Sequence, residues 1–389
     1  MINPLQALEG FGQSVWLDFI RRSLMTNGEL GRLIEHDGLK GVTSNPAIFE
    51  KGVSAGTDYD DLLSAPDAAG LDAKVLYERI AIRDVQAAAD ALSGVYDRTR
   101  QRDGYVSLEV SPFLAYDTAG TLSEARRLWQ VVGRRNVMIK VPATAEGIDA
   151  VRTLIGEGIN VNVTLLFSRD TYARVAEAYL DGLDALIVRG RDPRDVASVA
   201  SFFVSRIDTA ADARIAALAG RCTDPAEQGR LQALLGKVAI ANAKLAYRDY
   251  QTMVSGKRWR GLEAAGAGTQ RLLWASTGTK DARYRDVVYV EELIGPDTVN
   301  TMPPATLEAF RDHGRPRQSL TEGVESAAAT LSDLAGAGIS LTEITDGLLS
   351  EGVRLFAEAF EKLLGSVSSQ SSRRRGHSVR SLTRQPGPA

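Results

Sequence analysis

One cysteine, Cys222, and three histidines, His36, His313 and His377, are scattered through 389 residues. A single thiol excludes an internal disulfide, so nothing marks an oxidising compartment. The histidines lie too far apart in sequence to suggest a dedicated His/Cys metal site, and none is expected. Charge of one sign is scarce as well. The 46 Lys+Arg against 49 Asp+Glu leave a formal net charge of −3, which draws the surface toward neither nucleic acid nor anionic lipid. No apolar run approaches the roughly 20 residues of a membrane span. The start, Met1-Ile-Asn-Pro-Leu-Gln6, lacks the charged and apolar regions of a signal peptide. The expectation is a soluble cytoplasmic protein that binds neither nucleic acid nor membrane.

What is present is the composition of a globular chain, 44% hydrophobic and 24% charged. Short β-rich runs alternate with longer helical patterns, which reads as repeated βα units around a parallel sheet. Strands are expected at Ser14–Asp18, Leu39–Thr43, Tyr105–Val110, Val137–Val141, Ile159–Leu165, Ser198–Val204, Leu272–Ser276 and Thr298–Met302. Eight such units close an α/β fold of the (β/α)8 TIM-barrel type. Several strands alternate: Ser107 and Glu109 oppose Leu108 and Val110, and Asn160, Asn162 and Thr164 oppose Val161, Val163 and Leu165. The polar set is expected to face the barrel axis and the apolar set the helices. Thr144 and Ser168 are expected N-caps, Gly156 and Gly158 a helix end, and Thr121-Leu-Ser-Glu124 a capping box. A barrel needs about 250 residues, so helical additions are placed in Thr57–Arg100, Asp208–Gly261 and Ser319–Leu364. Residues 1–364 read as one catalytic domain. Residues 365–389, rich in Ser, Arg and Gly, read as a disordered tail.

The chemistry centres on Lys140, within the run Asn136-Val-Met-Ile-Lys-Val-Pro-Ala-Thr144. A lysine among Met138, Ile139 and Val141 either snorkels to water, pairs with an acid, or sits desolvated. In the last case it is a nucleophile toward carbonyls and can form a Schiff base. Barrel catalysts sit at the C-terminal ends of strands. Those ends carry Asp18, then Thr43, Ser44 and Asn45, then Glu109 beside Lys140, Asn162 and Thr164, Ser201, Phe203 and Arg206, and finally Ser276 with Lys280. Each has a plainer reading. Asp18 could cap a helix, Glu109 could be Lys140's buried ion partner, and Asn45 could only shape the Asn-Pro turn. Thr164 could bond backbone alone, and Arg206 with Ser276 could be surface groups. Their coincidence at one rim suits carbonyl chemistry through a Schiff base.

Other signals fail. Gly266-Ala-Gly-Thr-Gln lacks the third glycine and strand context of a dinucleotide fingerprint, and Ser276-Thr-Gly-Thr-Lys280 lacks the order of a phosphate loop. Arg373-Arg-Arg375 reads as a solvated charge run. No Gly-x-Ser-x-Gly nucleophile elbow occurs.

The segments Trp16-Leu-Asp18, Gly41-Val-Thr-Ser-Asn-Pro-Ala47, Val106-Ser-Leu-Glu-Val-Ser-Pro112, Met138-Ile-Lys-Val-Pro-Ala-Thr144, Asn160-Val-Asn-Val-Thr-Leu-Leu-Phe-Ser168, Ser201-Phe-Phe-Val-Ser-Arg-Ile-Asp208, Trp274-Ala-Ser-Thr-Gly-Thr-Lys-Asp281 and Asp297-Thr-Val-Asn-Thr-Met-Pro-Pro304 together resemble the transaldolase family in its longer bacterial form, from about Gly12 to His313. The resemblance implies a pentose phosphate pathway enzyme moving a dihydroxyacetone unit between sugar phosphates, with no cofactor because the iminium is the electron sink. It places Lys140 on the Schiff-base lysine, Asp18 on the acid/base aspartate, Glu109 on its partner glutamate and Thr164 on the threonine that holds a catalytic water. Asn45 falls on the asparagine that orients the bound intermediate, Ser201 and Phe203 on residues lining the pocket and Arg206 on the phosphate arginine; Thr43 and Asn162, at the same strand ends, are expected to bind substrate with them. Shorter relatives carry an arginine after the seventh strand, where Ser276 and Lys280 are expected to serve here. The added helices depart from the compact pattern; they could cover the rim or build a subunit interface such as a homodimer's.

Two rivals stand beside this reading. One is a Schiff-base aldolase cleaving fructose 6-phosphate without transfer. The other is a non-catalytic sugar-phosphate-binding barrel, whose expected signature would be loss of Lys140, Glu109 or Asp18.

Overall fold

The eight strands of the computed structural model, which describes residues 3–68 and 70–382, are β1 (Gln13–Asp18), β2 (Leu39–Thr43), β3 (Tyr105–Glu109), β4 (Val137–Pro142), β5 (Val161–Leu166), β6 (Ser198–Phe203), β7 (Arg271–Ala275) and β8 (Thr298–Met302). Each pairs in parallel with the next and β8 pairs with β1, closing the barrel. This is the expected (β/α)8 architecture. Strand ends differ from the expected ones by at most two residues. At β7 the reason is visible: Ser276 takes φ +56 and turns the chain out of the ladder.

The alternation sorts as its period of two requires. Leu108, Val161 and Val163 are buried on the helix side. Ser107 bonds across the barrel instead, its Oγ accepting from Asn162 Nδ2 at 3.0 Å. The barrel floor is closed by a saturated network. Asp103 accepts from Arg271 at 2.9 Å, from Ser14 Oγ at 2.7 Å and from Trp16 Nε1 at 3.0 Å. The Trp16 indole fills the space above it. Gly41 is obligatory there, because a Cβ at that position would lie 2.4 Å from the indole ring.

Helix starts follow the expected chemistry at two of three places. Thr144 Oγ1 accepts from Gly147 N and Ser168 Oγ from Thr171 N, both at 3.0 Å. The expected Thr121–Glu124 box is corrected. That helix, Thr118–Val132, begins earlier, capped by Asp117, which accepts from Gly120 N at 2.9 Å. Thr121 Oγ1 donates to Leu114 O, and Glu124 accepts from Ser111 N in the preceding loop. An aspartate four residues upstream therefore took the capping role.

The extra length is helical. It forms Ala73–Arg98 before β3, a group after β6 that includes Ser205–Ala219 and Val238–Val254, and the pair Val324–Gly336 and Leu341–Leu382 at the end. The last helix corrects the expected disordered tail over residues 365–382. Phe360, Leu363, Val367 and Ser371 continue one buried stripe at helical spacing. Ser371 Oγ donates to Leu63 O at 3.1 Å and Gln370 Nε2 to Val53 O at 3.3 Å. A composition rich in Ser and Gly concealed this periodic face. Residues 383–389 of the expected tail lie outside the described residues, as do the side chains of residues 373–382, which include Arg373 to Arg375.

Candidate active site

Lys140 holds the centre of the barrel's C-terminal end. It is 5% exposed, so it does not snorkel to water. Its Nζ donates to the Ser44 carbonyl at 3.1 Å. That carbonyl is itself steadied, because Ser44 Oγ donates to Ser107 O at 2.7 Å. Among the described residues Lys140 enters no ion pair, so Glu109 is not its bonded partner.

Glu109 nevertheless stands beside Lys140 in register on β3. Its Oε2 is buried without a hydrogen-bond partner. Burial pushes its carboxyl up to about 7, with the Lys140 charge pulling it down and Asp18 pushing it further up. On the other flank, β5 carries Thr164, whose Oγ1 is also buried without a partner, the backbone included. A buried polar atom costs free energy unless it is bonded. Two such orphans on the strands either side of Lys140 suit a water with two or more polar partners. The network around Asp103 at the N-terminal end is bonded throughout, whereas these two groups beside Lys140 are not.

Asp18, ending β1, receives the Thr43 hydroxyl at 2.7 Å, and Thr43 shares a second 2.7 Å bond with Thr301. Burial raises the Asp18 carboxyl above the ordinary carboxylate range, against the opposing pull of Lys140, the Thr43 bond and Lys280. It caps nothing; the following helix, Arg22–Thr26, starts after Arg21 with no side-chain cap. Asn45 does shape its turn, accepting from Ile48 N at 3.1 Å, while also facing the cavity.

The cavity at this rim has a volume of about 170 Å3. Asp18, Thr43, Asn45, Lys140 and Ser201 line it, together with Phe203, Arg206, Ser276 and Lys280. Arg206 is half-buried, its guanidinium 5.9 Å from the Phe203 ring centre. Burial lowers its pKa and the Glu351 carboxylate raises it. Ser276 Oγ shares a 2.9 Å bond with Ser205 Oγ, joining the loop after β7 to the helix that carries Arg206. Lys280 stands exposed at the mouth. Two cations and a hydroxyl at one end suit a phosphate.

Three expected residues lie off the cavity wall. Glu109 and Thr164 flank Lys140 from its neighbouring strands. Asn162 sits in a relay in which Ser201 Oγ donates to Asn162 Oδ1 at 2.6 Å and Asn162 donates to Ser107. Asn162 therefore braces Ser201, which lines the cavity, from behind. The sequence reading missed the roles of the Ser44 carbonyl, Thr301 and Phe356. Thr301 could have been found from its rim position at the end of β8. Phe356 is on the final helix, where no local pattern points to the barrel.

A larger cavity of about 620 Å3 opens at the opposite end of the barrel, beside Arg100, Arg102 and Arg271. Its buried cation Arg271 is already paired with Asp103. Among the described residues no group of three or more His, Cys, Asp or Glu is placed to hold a metal ion, and no helix is long and apolar enough to cross a membrane.

A closed parallel barrel with a buried lysine between two carboxylates at its C-terminal rim defines the class of lysine-dependent barrel enzymes of carbonyl chemistry. The profile of the family described as Transaldolase/Fructose-6-phosphate aldolase matches residues 15–367. The chain belongs to that family. It is 46% identical over 368 residues to Transaldolase 2 of Nostoc punctiforme, covering 94% of this chain and 97% of that one. It is 44% identical to the transaldolase of Trichodesmium erythraeum over 94% of this chain and 97% of that one. For the transaldolase of Thermobifida fusca the figures are 45%, 95% and 99%. The match runs well past His313, where the sequence reading ended the resemblance, and takes in most of the last helix.

Proposed function

We propose that this protein is a transaldolase that carries a dihydroxyacetone unit on Lys140 from fructose 6-phosphate or sedoheptulose 7-phosphate to an aldose phosphate, glyceraldehyde 3-phosphate or erythrose 4-phosphate, as a step of the pentose phosphate pathway. The observation that carries this reading is the buried Lys140, outside any ion pair, with Glu109 and Asp18 beside it, two carboxyls that burial makes more basic than free ones. The unprotonated amine adds to the C2 carbonyl. Glu109, working through a water held with Thr164, delivers the proton that lets the carbinolamine lose water. Such positioned proton transfers contribute about 10²–10⁴-fold each. Asp18 takes the C4 hydroxyl proton, the C3–C4 bond breaks, and its electron pair is stored as an enamine on Lys140. Thr43 orients Asp18, and Asn45 and Ser201 hold the sugar hydroxyls. Arg206, with Ser276 and Lys280, binds the phosphate, Arg206 by its planar fork and Lys280 as a point charge. The iminium is the electron sink, so the cycle runs without an added cofactor. On this reading the barrel and its added helices, the last one included, act as one catalytic unit in the cytoplasm, free of nucleic acid and membrane, and the added helices leave a homodimer open to a sedimentation measurement.

The test is borohydride trapping. Protein incubated with fructose 6-phosphate, reduced and digested should yield a three-carbon adduct on the Lys140 peptide, absent in Lys140→Met, which should also be inactive. Folded, substrate-saturated protein that gives no adduct would overturn the mechanism. Comparing turnover with and without erythrose 4-phosphate distinguishes transfer from simple cleavage.

A further inference from the structure

The cavity that holds Lys140 is not closed by barrel residues alone. Phe356 lines it, together with Asp18, Lys140, Phe203 and Arg206. Phe356 belongs to the Leu341–Leu382 helix and is 9% exposed. This helix packs on β5, on Ser205–Ala219 and on the Pro46–Ser54 helix that follows Asn45. It thus bridges the elements that carry Thr164, Arg206 and Asn45.

Two features fasten it at the depth where Phe356 meets the cavity. Four residues before Phe356 is Gly352, and a Cβ there would lie 2.9 Å from the Leu165 side chain. The missing side chain lets the helix settle directly on β5. Leu165 itself takes φ +60, next to Thr164 and within a register irregularity between Val163 and Leu166. Four residues after Phe356, Phe360 is clasped edge-on by Tyr77 and Phe113, with ring centres 5.3 and 5.6 Å apart. The helix is therefore fastened one turn before and one turn after Phe356.

We propose that Phe356 is a specificity-determining residue that governs the fate of the three-carbon enamine by keeping water from it, so that the last helix is the wall which makes the enzyme a transferase. The inference rests on the Schiff-base reading above. Two exits are open to the enamine. In transfer, its carbon attacks the acceptor aldehyde carbon, the aldehyde oxygen takes the Asp18 proton, and hydrolysis of the new iminium frees a longer ketose. In the competing exit the enamine carbon is protonated, water adds at C2, the C2–Nζ bond breaks, and dihydroxyacetone leaves with the lysine amine regenerated. Both consume one water and need no oxidant or reductant. They differ in whether the enamine carbon bonds to an aldehyde first, or is protonated so that water then opens the three-carbon iminium at C2. An aromatic ring at the mouth excludes a small polar molecule while a sugar phosphate, anchored at Arg206 and Lys280, is drawn in by its charge.

The experiment compares Phe356→Ala, Phe356→Leu and Phe360→Leu with the parent protein. Glyceraldehyde 3-phosphate release from fructose 6-phosphate is measured without an acceptor and with erythrose 4-phosphate, alongside borohydride trapping on Lys140. Phe356→Ala should raise the ratio of acceptor-independent to acceptor-dependent turnover about tenfold or more, since tenfold corresponds to a modest change in relative barriers. Phe356→Leu should restore part of the difference. Phe360→Leu, which removes one of the two fastenings without itself lining the cavity, should shift the ratio in the same direction by a smaller factor. A Phe356→Ala ratio within twofold of the parent, in protein that still forms the Lys140 adduct, overturns the proposal. A parent protein without any adduct overturns the Schiff-base reading and this inference with it.

Discussion

Replacing Glu109 by glutamine should make the protein gain stability on the parent as pH rises and leave it nearly inactive, and the two effects can be measured separately. The carboxyl rises from 4.5 to about 7 because it is buried and Oε2 has no partner. For an acid raised on folding, the folded state holds the proton more tightly than the unfolded chain. The stability associated with it is full below pH 4.5 and is lost as pH climbs through about 7. At about 1.36 kcal/mol per pKa unit, the parent gives up on the order of 3 kcal/mol between pH 4.5 and pH 8. Glutamine does not titrate, so Glu109→Gln escapes this loss. Its own amide, buried with few partners, costs about 1–3 kcal/mol at every pH. The clean observable is therefore the pH dependence of the difference between variant and parent. Urea unfolding at pH 4.5, 6, 7 and 8 should show the variant gaining on the parent by about 3 kcal/mol across that range. Turnover of fructose 6-phosphate with erythrose 4-phosphate should fall about 10²–10⁴-fold at pH 7. The parent's kcat/KM profile should show a limb near pH 7 that the variant lacks. A stability difference that stays flat from pH 4.5 to pH 8 would refute the argument that Glu109 is buried unpaired.

Asp18→Asn should still form the borohydride-trappable adduct on Lys140 while losing carbon–carbon cleavage by about 10²–10⁴-fold; loss of the adduct itself would place Asp18 at an earlier step. Arg206→Ala should raise KM for fructose 6-phosphate about 10–100-fold, as expected for one charge-assisted contact of about 1.5–3 kcal/mol, and should erase the preference over unphosphorylated fructose; an unchanged preference would move the phosphate elsewhere. Gly41→Ala places a methyl against the Trp16 ring, 2.4 Å from it, and should cost about 1–3 kcal/mol by overpacking; a melting temperature equal to the parent's would show that the indole can move aside.

The elements legible in the chain were those whose signal is local. All eight strands were placed to within two residues, because each is a short β-rich run between helical patterns, and in several, such as Val161–Leu166, polar and apolar residues also alternate. Thr144 and Ser168 were read correctly as caps because a cap bonds two or three residues away. Thr121 failed for the same reason: Asp117, an equally local and stronger candidate, lay just upstream. The end of the last helix was misread because averaged composition hides a stripe such as Phe360, Leu363, Val367 and Ser371.

At the rim the division follows the same line. Strand-end position and residue type were enough to name Lys140, Asp18, Glu109 and the groups around them, since a parallel barrel carries every strand's C-terminal end to one face. Composition and pattern could not say that Lys140 would bond the Ser44 carbonyl instead of Glu109, that Asn162 would brace Ser201, or that the final helix would bring Phe356 to the cavity. Those outcomes depend on contacts between residues that are 39 to more than 300 positions apart in the chain. Secondary structure and the roster of reactive side chains follow from short-range periodicity, which the sequence carries by itself. Which buried polar atoms find partners, and which remain free to react, is decided only when the barrel closes and the helices pack across its mouth.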